Sequence, residues 1–200
     1  MDQTPVITSY KSLNLAWMPR VDGAFLKDHP QQLVKQGSMA KIPMINGNAD
    51  DEGTLFTVFN YNTTTNNEMH KYIAEVYLPN ATQAKVNRVL TLYSDDIADG
   101  SPFDTGDVNA VTPEFKRLAA FQGDVVFQAP RWFFLQHQSG KQDTWSFLSK
   151  RSKSLPVLGS FHGSEMASFW GPGDMTDYLI RLVVHLDPNS RTSLPSRQFS

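Results

Sequence analysis

Hydrophobic residues recur with a helical period of about 3.6 along much of this 200-residue chain. The spacing predicts amphipathic helices over residues 66–77, over 82–93 and over about 174–186. The last of these would carry Val183 and Leu186 on the same apolar face as its other large residues. The pattern therefore predicts a domain built largely from helices, each with one buried face.

Proline and glycine residues divide the chain between these periodic segments. Residues 30–37 predict a short helix with proline in its first turn and glycine at its end. A long helical stretch is predicted from Thr112, as its N-cap, toward Gln138, and Gly123 and Pro130 are expected to break or kink it. The segments without either period are predicted as loops, namely 1–30 and 100–106.

Two short runs of the chain predict β-strands. Residues 42–46 form an apolar run that ends in Asn-Gly, and residues 145–148 alternate apolar and polar side chains. About a hundred residues of mostly helical chain separate them, which indicates an α/β layered fold. Because two strands do not make a stable sheet alone, we expect a partial α/β fold with most of its sheet outside this chain.

The composition is that of a globular domain with a sizeable core. Hydrophobic residues make up 40% and charged residues 19% of the chain. The formal net charge of -2 argues against a nucleic-acid partner, which would need a basic face. No apolar run approaches the ~18 residues needed to cross a bilayer, and the N-terminus lacks the features of a signal peptide. We therefore expect no transmembrane segment.

Cysteine usage and glycosylation sequons give opposite indications of the compartment. The chain has no cysteine, which excludes disulfides, a thiol nucleophile and a cysteine zinc site. Asn62 and Asn80 each begin an Asn-X-Thr sequon, which is glycosylated only in proteins that enter the secretory pathway. Chance alone also produces such sequons, so the localisation stays open at this point.

Glu52 and His162 have residue types and positions that suggest acid–base chemistry. Glu52 follows the strand predicted at 42–46 by a few residues, where functional groups of open α/β sheets cluster. His162 lies in a glycine-flanked loop after another apolar run, and histidine transfers protons near neutral pH. By position alone, each residue also fits an ordinary interpretation: a solvated acidic turn for Glu52 and a hydrogen-bonded loop histidine for His162.

Other site motifs are absent from the sequence or incomplete. No HExxH pair, GxGxxG loop or P-loop occurs, so we expect no metal site and no nucleotide cofactor. Residues 95–106 briefly imitate a calcium loop, but Ile97 and Gly106 stand where ligands are required. The nucleophile elbow G-x-S-x-G also occurs nowhere in the 200 residues.

Four stretches of the chain together resemble the C-terminal half of the type-B carboxylesterase/lipase family, and within it the fungal extracellular lipases and esterases. These stretches are 19–26, 45–56, 123–127 and 146–165. The resemblance implies an α/β-hydrolase fold and a Ser-Glu-His triad in that chain order. The family glutamate falls on Glu52 in the D-E-G motif and the family histidine on His162 in the F-H-G motif.

The resemblance also implies roles for residues outside the triad. Phe56, Leu13 and Leu15 match family positions near the acyl pocket, although plain core packing explains them equally well. Asn62 matches a glycosylation site of related lipases, which favours it over Asn80. Members of the family are typically secreted, and the chemistry needs no cofactor.

The resemblance leads us to expect that residues 1–200 are a single C-terminal portion of a carboxylesterase domain. The tail 190–200 departs from the family pattern. The family serine and oxyanion hole belong to the N-terminal half, so the chain alone is expected to be inactive toward lipid or small ester substrates until that half completes it. The alternative is a non-catalytic binding or adhesion module of the cholinesterase-like superfamily.

Overall fold

The computed structural model describes residues 9–14 and 18–189, so Leu15 and the tail 190–200 lie outside the described residues. Within the described ranges, two strands lie among eight α-helices, as expected for few strands with many helices. The elements are α1 (Pro30–Gln36), β1 (Met44–Ala49), α2 (Thr54–Thr57), α3 (Asn66–Tyr72), α4 (Gln83–Leu90), α5 (Phe115–Gly123), α6 (Ala129–Gln138), β2 (Thr144–Ser149), α7 (Met166–Trp170) and α8 (Asp174–His185). None of these helices is long and apolar enough to cross a bilayer.

The two strands pair in parallel, in a register that runs from Met44 opposite Thr144 to Ala49 opposite Ser149. β1 differs from its prediction, because it begins two residues later and continues through Gly47 instead of opening into a loop there. The Phe147 ring occupies the space of a side chain at position 47, where a Cβ would lie 2.3 Å from it. Glycine at this position therefore allows the neighbouring strand to pack.

The main hydrophobic core lies between α3, α4 and α5. Its buried members are Met69, Tyr72, Ile73, Val76, Val86, Leu90, Leu118 and Phe121. α3 begins with a reciprocal capping box between Thr65 and Glu68, and it continues into a π-helical turn at Ile73–Tyr77. The helix predicted over 66–77 is thereby confirmed, and the one predicted over 82–93 is confirmed over Gln83–Leu90, after which the chain turns.

The long helical stretch begins later than predicted. Thr112 is not its N-cap, because the Thr112 carbonyl accepts a bond from the Phe115 amide in a preceding turn, and α5 starts at Phe115. The break expected at Gly123 is instead a π-helical turn, Asp124–Gln128, that leads directly into α6. Pro130, which has no backbone N–H to donate, is the second residue of α6 and directly follows this π-helical turn.

The C-terminal helix α8 forms where the period predicted it, but its apolar face is not fully covered. Val183 is 72% exposed and Leu186 is 60% exposed. α7 precedes α8 and packs against it. The predicted helix is confirmed, whereas its expected burial is wrong within the described part of the chain.

Candidate active site

Glu52 lies in the tight turn between β1 and α2, at the carboxyl end of the strand. The turn packs closely on α5, and glycine at the next position makes this possible. A Cβ at Gly53 would lie 2.0 Å from the Ala119 carbonyl oxygen and 2.7 Å from the Gly123 nitrogen. The short strand and the tight turn together fix the backbone from which the Glu52 side chain projects.

The Glu52 carboxylate is almost completely buried, with 3% of its surface exposed. Its Oε1 accepts hydrogen bonds from the Ala49 amide at 2.7 Å and from the Asn48 side-chain amide at 3.2 Å. These two donors compensate for the water that the carboxylate loses on burial. They also fix its orientation, so that Oε2 is directed toward His162.

His162 lies in the segment between β2 and α7, which we call the histidine loop (residues 150–165). Its Nδ1 is 2.6 Å from Oε2 of Glu52. An ionised carboxylate only accepts hydrogen bonds, so Nδ1 carries the proton and donates it. In the neutral ring, Nε2 is then left with a lone pair and is the basic nitrogen. The structure thus brings together the two residues that the sequence singled out.

The electrostatics of this pair favour the protonated ring. The hydrogen bond to Glu52 raises the pKa of His162 above its ordinary value of 6.5, and the charges of Glu52 and Glu165 act in the same direction. Partial burial of the ring opposes this effect. The carboxylate therefore stabilises an imidazolium, which is the form a base takes after it accepts a proton.

Two phenylalanine rings pack around the imidazole. The ring centroid of Phe56 is 5.4 Å from that of His162, and the centroid of Phe127 is 4.8 Å away. The two phenylalanines also stack on each other. Phe56, which the resemblance linked to the acyl pocket, therefore contacts the histidine. Phe127 was not singled out, although it ends the stretch 123–127 that carried part of the resemblance.

A further polar layer supports Glu52 through Asn48. Arg131 on α6 donates from Nε to the Asn48 side-chain oxygen at 2.6 Å, and from its other nitrogens to Ser146 and Gln128. Gln128 also donates to the Ala49 carbonyl. Sequence reasoning missed this layer, because neither periodicity nor a motif connects a strand asparagine with an arginine 83 residues later.

The remaining predicted site residues are spread over the surface and the helical core. Leu13 is half-buried in a turn that packs on the core, where the Tyr10 ring is 4.8 Å from the Tyr72 ring. Its assignment to an acyl pocket stays a prediction. Asn62 and Asn80 both lie in exposed turns. Across the described ranges, no three acidic or histidine side chains are grouped so that they could hold a metal ion.

Comparison with known proteins places the chain in a family. The model of the carboxylesterase family matches residues 1–181. The chain belongs to the carboxylesterase family. Among curated members, Lipase 2 of Diutina rugosa is 40% identical over 193 residues, which are 93% of this chain and 34% of that protein. A secreted triacylglycerol lipase of Gibberella zeae is 37% identical over 198 residues, which are 94% and 34% of the two chains.

A solved structure shares the three-dimensional fold of this chain. The crystal structure of EstA from Aspergillus niger matches with a TM-score of 0.73 at 19% identity, over 90% of this chain and 38% of that one. This match confirms the predicted partial α/β-hydrolase fold. The chain spans about a third of the length of the curated carboxylesterase relatives it matches.

Proposed function

We propose that Glu52 and His162 are the acid and the base of a Ser-Glu-His triad in a carboxylic ester hydrolase, and that residues 1–200 form the C-terminal portion of its catalytic domain. The 2.6 Å hydrogen bond between Oε2 and Nδ1 carries the proposal, because it leaves Nε2 as a base. Membership in the carboxylesterase family and the lipase names of its relatives support it.

In the proposed reaction, His162 takes up and releases one proton in each of two half-reactions. Nε2 takes the proton of a serine hydroxyl while the serine oxygen bonds to the ester carbonyl carbon, and Glu52 stabilises the resulting imidazolium. The imidazolium then returns the proton to the alkoxide leaving group, which departs as alcohol and leaves an acyl-serine. Water repeats the cycle with Nε2 as base, so the acid is released and the serine regenerated.

The nucleophile of this triad has to come from elsewhere. G-x-S-x-G occurs nowhere in the 200 residues. We propose that the serine and the oxyanion hole are supplied by a segment outside them, in the same or another polypeptide. Loss of a triad nucleophile lowers kcat by roughly 10⁶, so the 200 residues alone are expected to be inactive.

We propose lipid or aryl esters as substrates, and no cofactor is required by this chemistry. Phe56 packs against His162 with only 2% of its surface exposed, so its place at an acyl pocket is proposed from the resemblance. Leu13 and Leu15 stay proposals from the resemblance alone, and Leu15 lies outside the described residues. Since three of the relatives are named as secreted lipases, we further propose that the protein is secreted and glycosylated at Asn62 and Asn80.

The test of this function has two parts. The purified chain should not hydrolyse p-nitrophenyl butyrate, and any turnover abolished by a serine-directed phosphonate would contradict its proposed inactivity. A chimera should then be made in which this chain replaces the corresponding third of Lipase 2 of Diutina rugosa. Phosphonate-sensitive esterase activity of a folded chimera is expected, and its absence would overturn the triad assignment.

The alternative proposal is a non-catalytic binding or adhesion module. The absence of a nucleophile elbow from these residues favours it. The aligned Glu52–His162 pair argues against it, since binding alone does not require a buried carboxylate to orient a histidine. A folded chimera without activity that still holds the Glu52–His162 hydrogen bond would support this alternative.

A further inference from the structure

Asp51 is a buried carboxylate that the proposed reaction does not use. It directly precedes Glu52 and is 0% exposed. Burial of an ionised carboxylate is costly unless hydrogen bonds and an opposite charge compensate for it. The partners that compensate for Asp51 therefore indicate what the residue does.

The Asp51 carboxylate connects its own turn with two other segments, residues 101–103 and the histidine loop. Oδ2 accepts a hydrogen bond from the Ser160 amide at 2.8 Å. Oδ1 accepts from the Ser101 hydroxyl at 3.0 Å and from the Phe103 amide at 2.9 Å. The Lys153 ammonium, 2.8 Å from Oδ1, supplies the opposite charge. Two of these four partners belong to the histidine loop.

The backbone of Asp51 continues this connection toward His162. The Asp51 amide donates to the Ser160 carbonyl at 2.9 Å, and Asp51 forms a parallel bridge with Phe161. Residue 51 is thus held to residues 160 and 161 by both its side chain and its main chain. Glu52 and His162 are the next residues of the two segments, so one junction sets the distance between them.

The histidine loop has a backbone that needs such support. Val157 has a φ of 66°, a left-handed conformation that is costly for a β-branched residue. Gly159 has a φ of 56°, and a Cβ there would lie 2.4 Å from Oδ2 of Asp51. The Val157 amide donates to Asn109, and the Leu158 carbonyl accepts from Thr54. The loop is therefore fixed from several sides, with Asp51 nearest to the histidine.

We infer that Asp51 is a positioning residue, which holds the histidine loop through Ser160 so that Nδ1 of His162 stays on Glu52. The inference rests on the proposed acid–base pair and names a residue that maintains it. A contribution of Asp51 to folding alone would leave the contact between His162 and Glu52 unchanged in the folded molecules.

The experiment measures the pKa of His162 by NMR in the complete 200-residue chain and in Asp51→Asn. The asparagine side chain has one acceptor oxygen and one NH₂ group in place of the two carboxylate oxygens. It therefore loses either the hydrogen bond from the Ser160 amide or the bonds that Oδ1 accepts. The expected result is a fall in the pKa of His162 toward 6.5, with faster hydrogen exchange at the Ser160 amide. An unchanged pKa in folded Asp51→Asn would overturn the inference.

Two further variants separate position from charge and folding. Gly159→Ala keeps every charge but presses on Oδ2 of Asp51, and it should also lower the pKa of His162. If Asp51→Asn does not fold, Gly159→Ala decides the question. An unchanged pKa of His162 in Gly159→Ala would then overturn the inference. Asp50→Asn removes a neighbouring carboxylate that contacts Lys153 at 2.5 Å, and it should leave the pKa unchanged. An equal fall in Asp50→Asn would assign the effect to the carboxylates around Lys153 in general and contradict a specific role of Asp51.

The wild-type measurement distinguishes this inference from the proposed function. A wild-type His162 that titrates at 6.5 would contradict the Glu52–His162 pair itself, and the inference would fall with it. A raised pKa in the wild type that is unchanged in both Asp51→Asn and Gly159→Ala would overturn only the role of Asp51.

Discussion

Nδ1 of His162 lies 2.6 Å from Oε2 of Glu52, although 110 residues separate them in the chain. Each residue follows a strand, and because the two strands are parallel neighbours, their carboxyl ends bring both side chains to the same edge of the sheet. The contact therefore follows from the register of β1 and β2, from the tight turn that carries Glu52 and from the longer histidine loop that brings His162 back to it.

Replacement of Glu52 by glutamine should lower the pKa of His162 toward 6.5. The hydrogen bond to the carboxylate is the largest cause of the raised pKa, and glutamine is similar in shape but carries no charge. NMR titration of the His162 ring protons measures the change.

Glu165→Gln is the matched control, because Glu165 acts on His162 through its charge alone and contributes less. It should lower the same pKa by a smaller amount. An equal effect of the two variants would show that the specific hydrogen bond to Glu52 is not the main cause.

The stability of the chain should depend on pH through His162. Its folded pKa lies above the ordinary value of 6.5, so the native state binds the proton more tightly than the unfolded state. The stabilisation is fully present below 6.5 and is lost as the pH rises through the raised pKa. The Tm of the wild type should therefore exceed that of His162→Gln by more at roughly pH 5.5 than at roughly pH 8.5.

The same comparison in a Glu52→Gln background is the control for this titration. Without the Glu52 carboxylate, the main cause of the raised pKa of His162 is gone. The difference in Tm between Glu52→Gln and the double variant Glu52→Gln/His162→Gln should therefore vary much less with pH. A pH dependence that is fully retained in that background would assign the effect to other groups.

The helices that could be predicted from the sequence are those with a clear amphipathic period. Residues 66–77 and 82–93 fold as helices because their apolar positions face one shared core. α2 and α7 have four and five residues, which is too short for such a period to be visible. Thr112 has the residue type of an N-cap, but the following turn shifts the start of α5 to Phe115.

In the site, too, some residues are indicated by sequence motifs, whereas others are brought together only by the fold. Glu52 could be found because it follows a predicted strand, and both Glu52 and His162 because each lies in a recognisable family motif. Asn48 and Arg131 could not, since their hydrogen bond depends on how α6 packs beside β1. In the sequence, Asp51 is one more charge in an acidic turn, and only its burial and its hydrogen bond from Ser160 distinguish it.

The close packing of the Glu52 turn on α5 predicts a large effect of Gly53→Ala. The added Cβ would lie 2.0 Å from the Ala119 carbonyl oxygen and 2.7 Å from the Gly123 nitrogen, so the turn or α5 has to shift. We expect a loss of about 1–3 kcal/mol in the free energy of unfolding, as is usual for overpacking. Urea denaturation measures it as a lower midpoint.

Gly171→Ala is the control, because its φ of -105° suits alanine and its Cβ would lie 3.1 Å from one carbonyl oxygen. It should cost less than about 1 kcal/mol. A Gly53→Ala midpoint as high as that of Gly171→Ala would show that the turn tolerates a side chain.

If the protein is secreted as proposed, Asn62 and Asn80 should each carry a glycan, because both are exposed and begin a sequon. Expression of the chain behind a yeast secretion signal should give a mass that falls after endoglycosidase treatment. Asn62→Gln and Asn80→Gln should each remove one glycan, whereas Asn87→Gln, at an exposed asparagine outside any sequon, should remove none. A secreted product of unmodified mass would contradict this prediction.

The roles of the pair are separated most sharply in the chimera with Lipase 2 of Diutina rugosa. His162→Gln removes the base and should lower kcat by about 10⁶-fold, whereas Glu52→Gln leaves a base without its orienting charge and should lower kcat by about 10⁴-fold. The double variant should be no worse than His162→Gln alone, because Glu52 acts only through the ring.

Glu75→Gln, at an exposed carboxylate paired with Lys71, should leave kcat unchanged. Hydrolysis of p-nitrophenyl butyrate at saturating substrate gives these values, and a Glu52→Gln chimera that keeps the parent kcat would remove Glu52 from the triad.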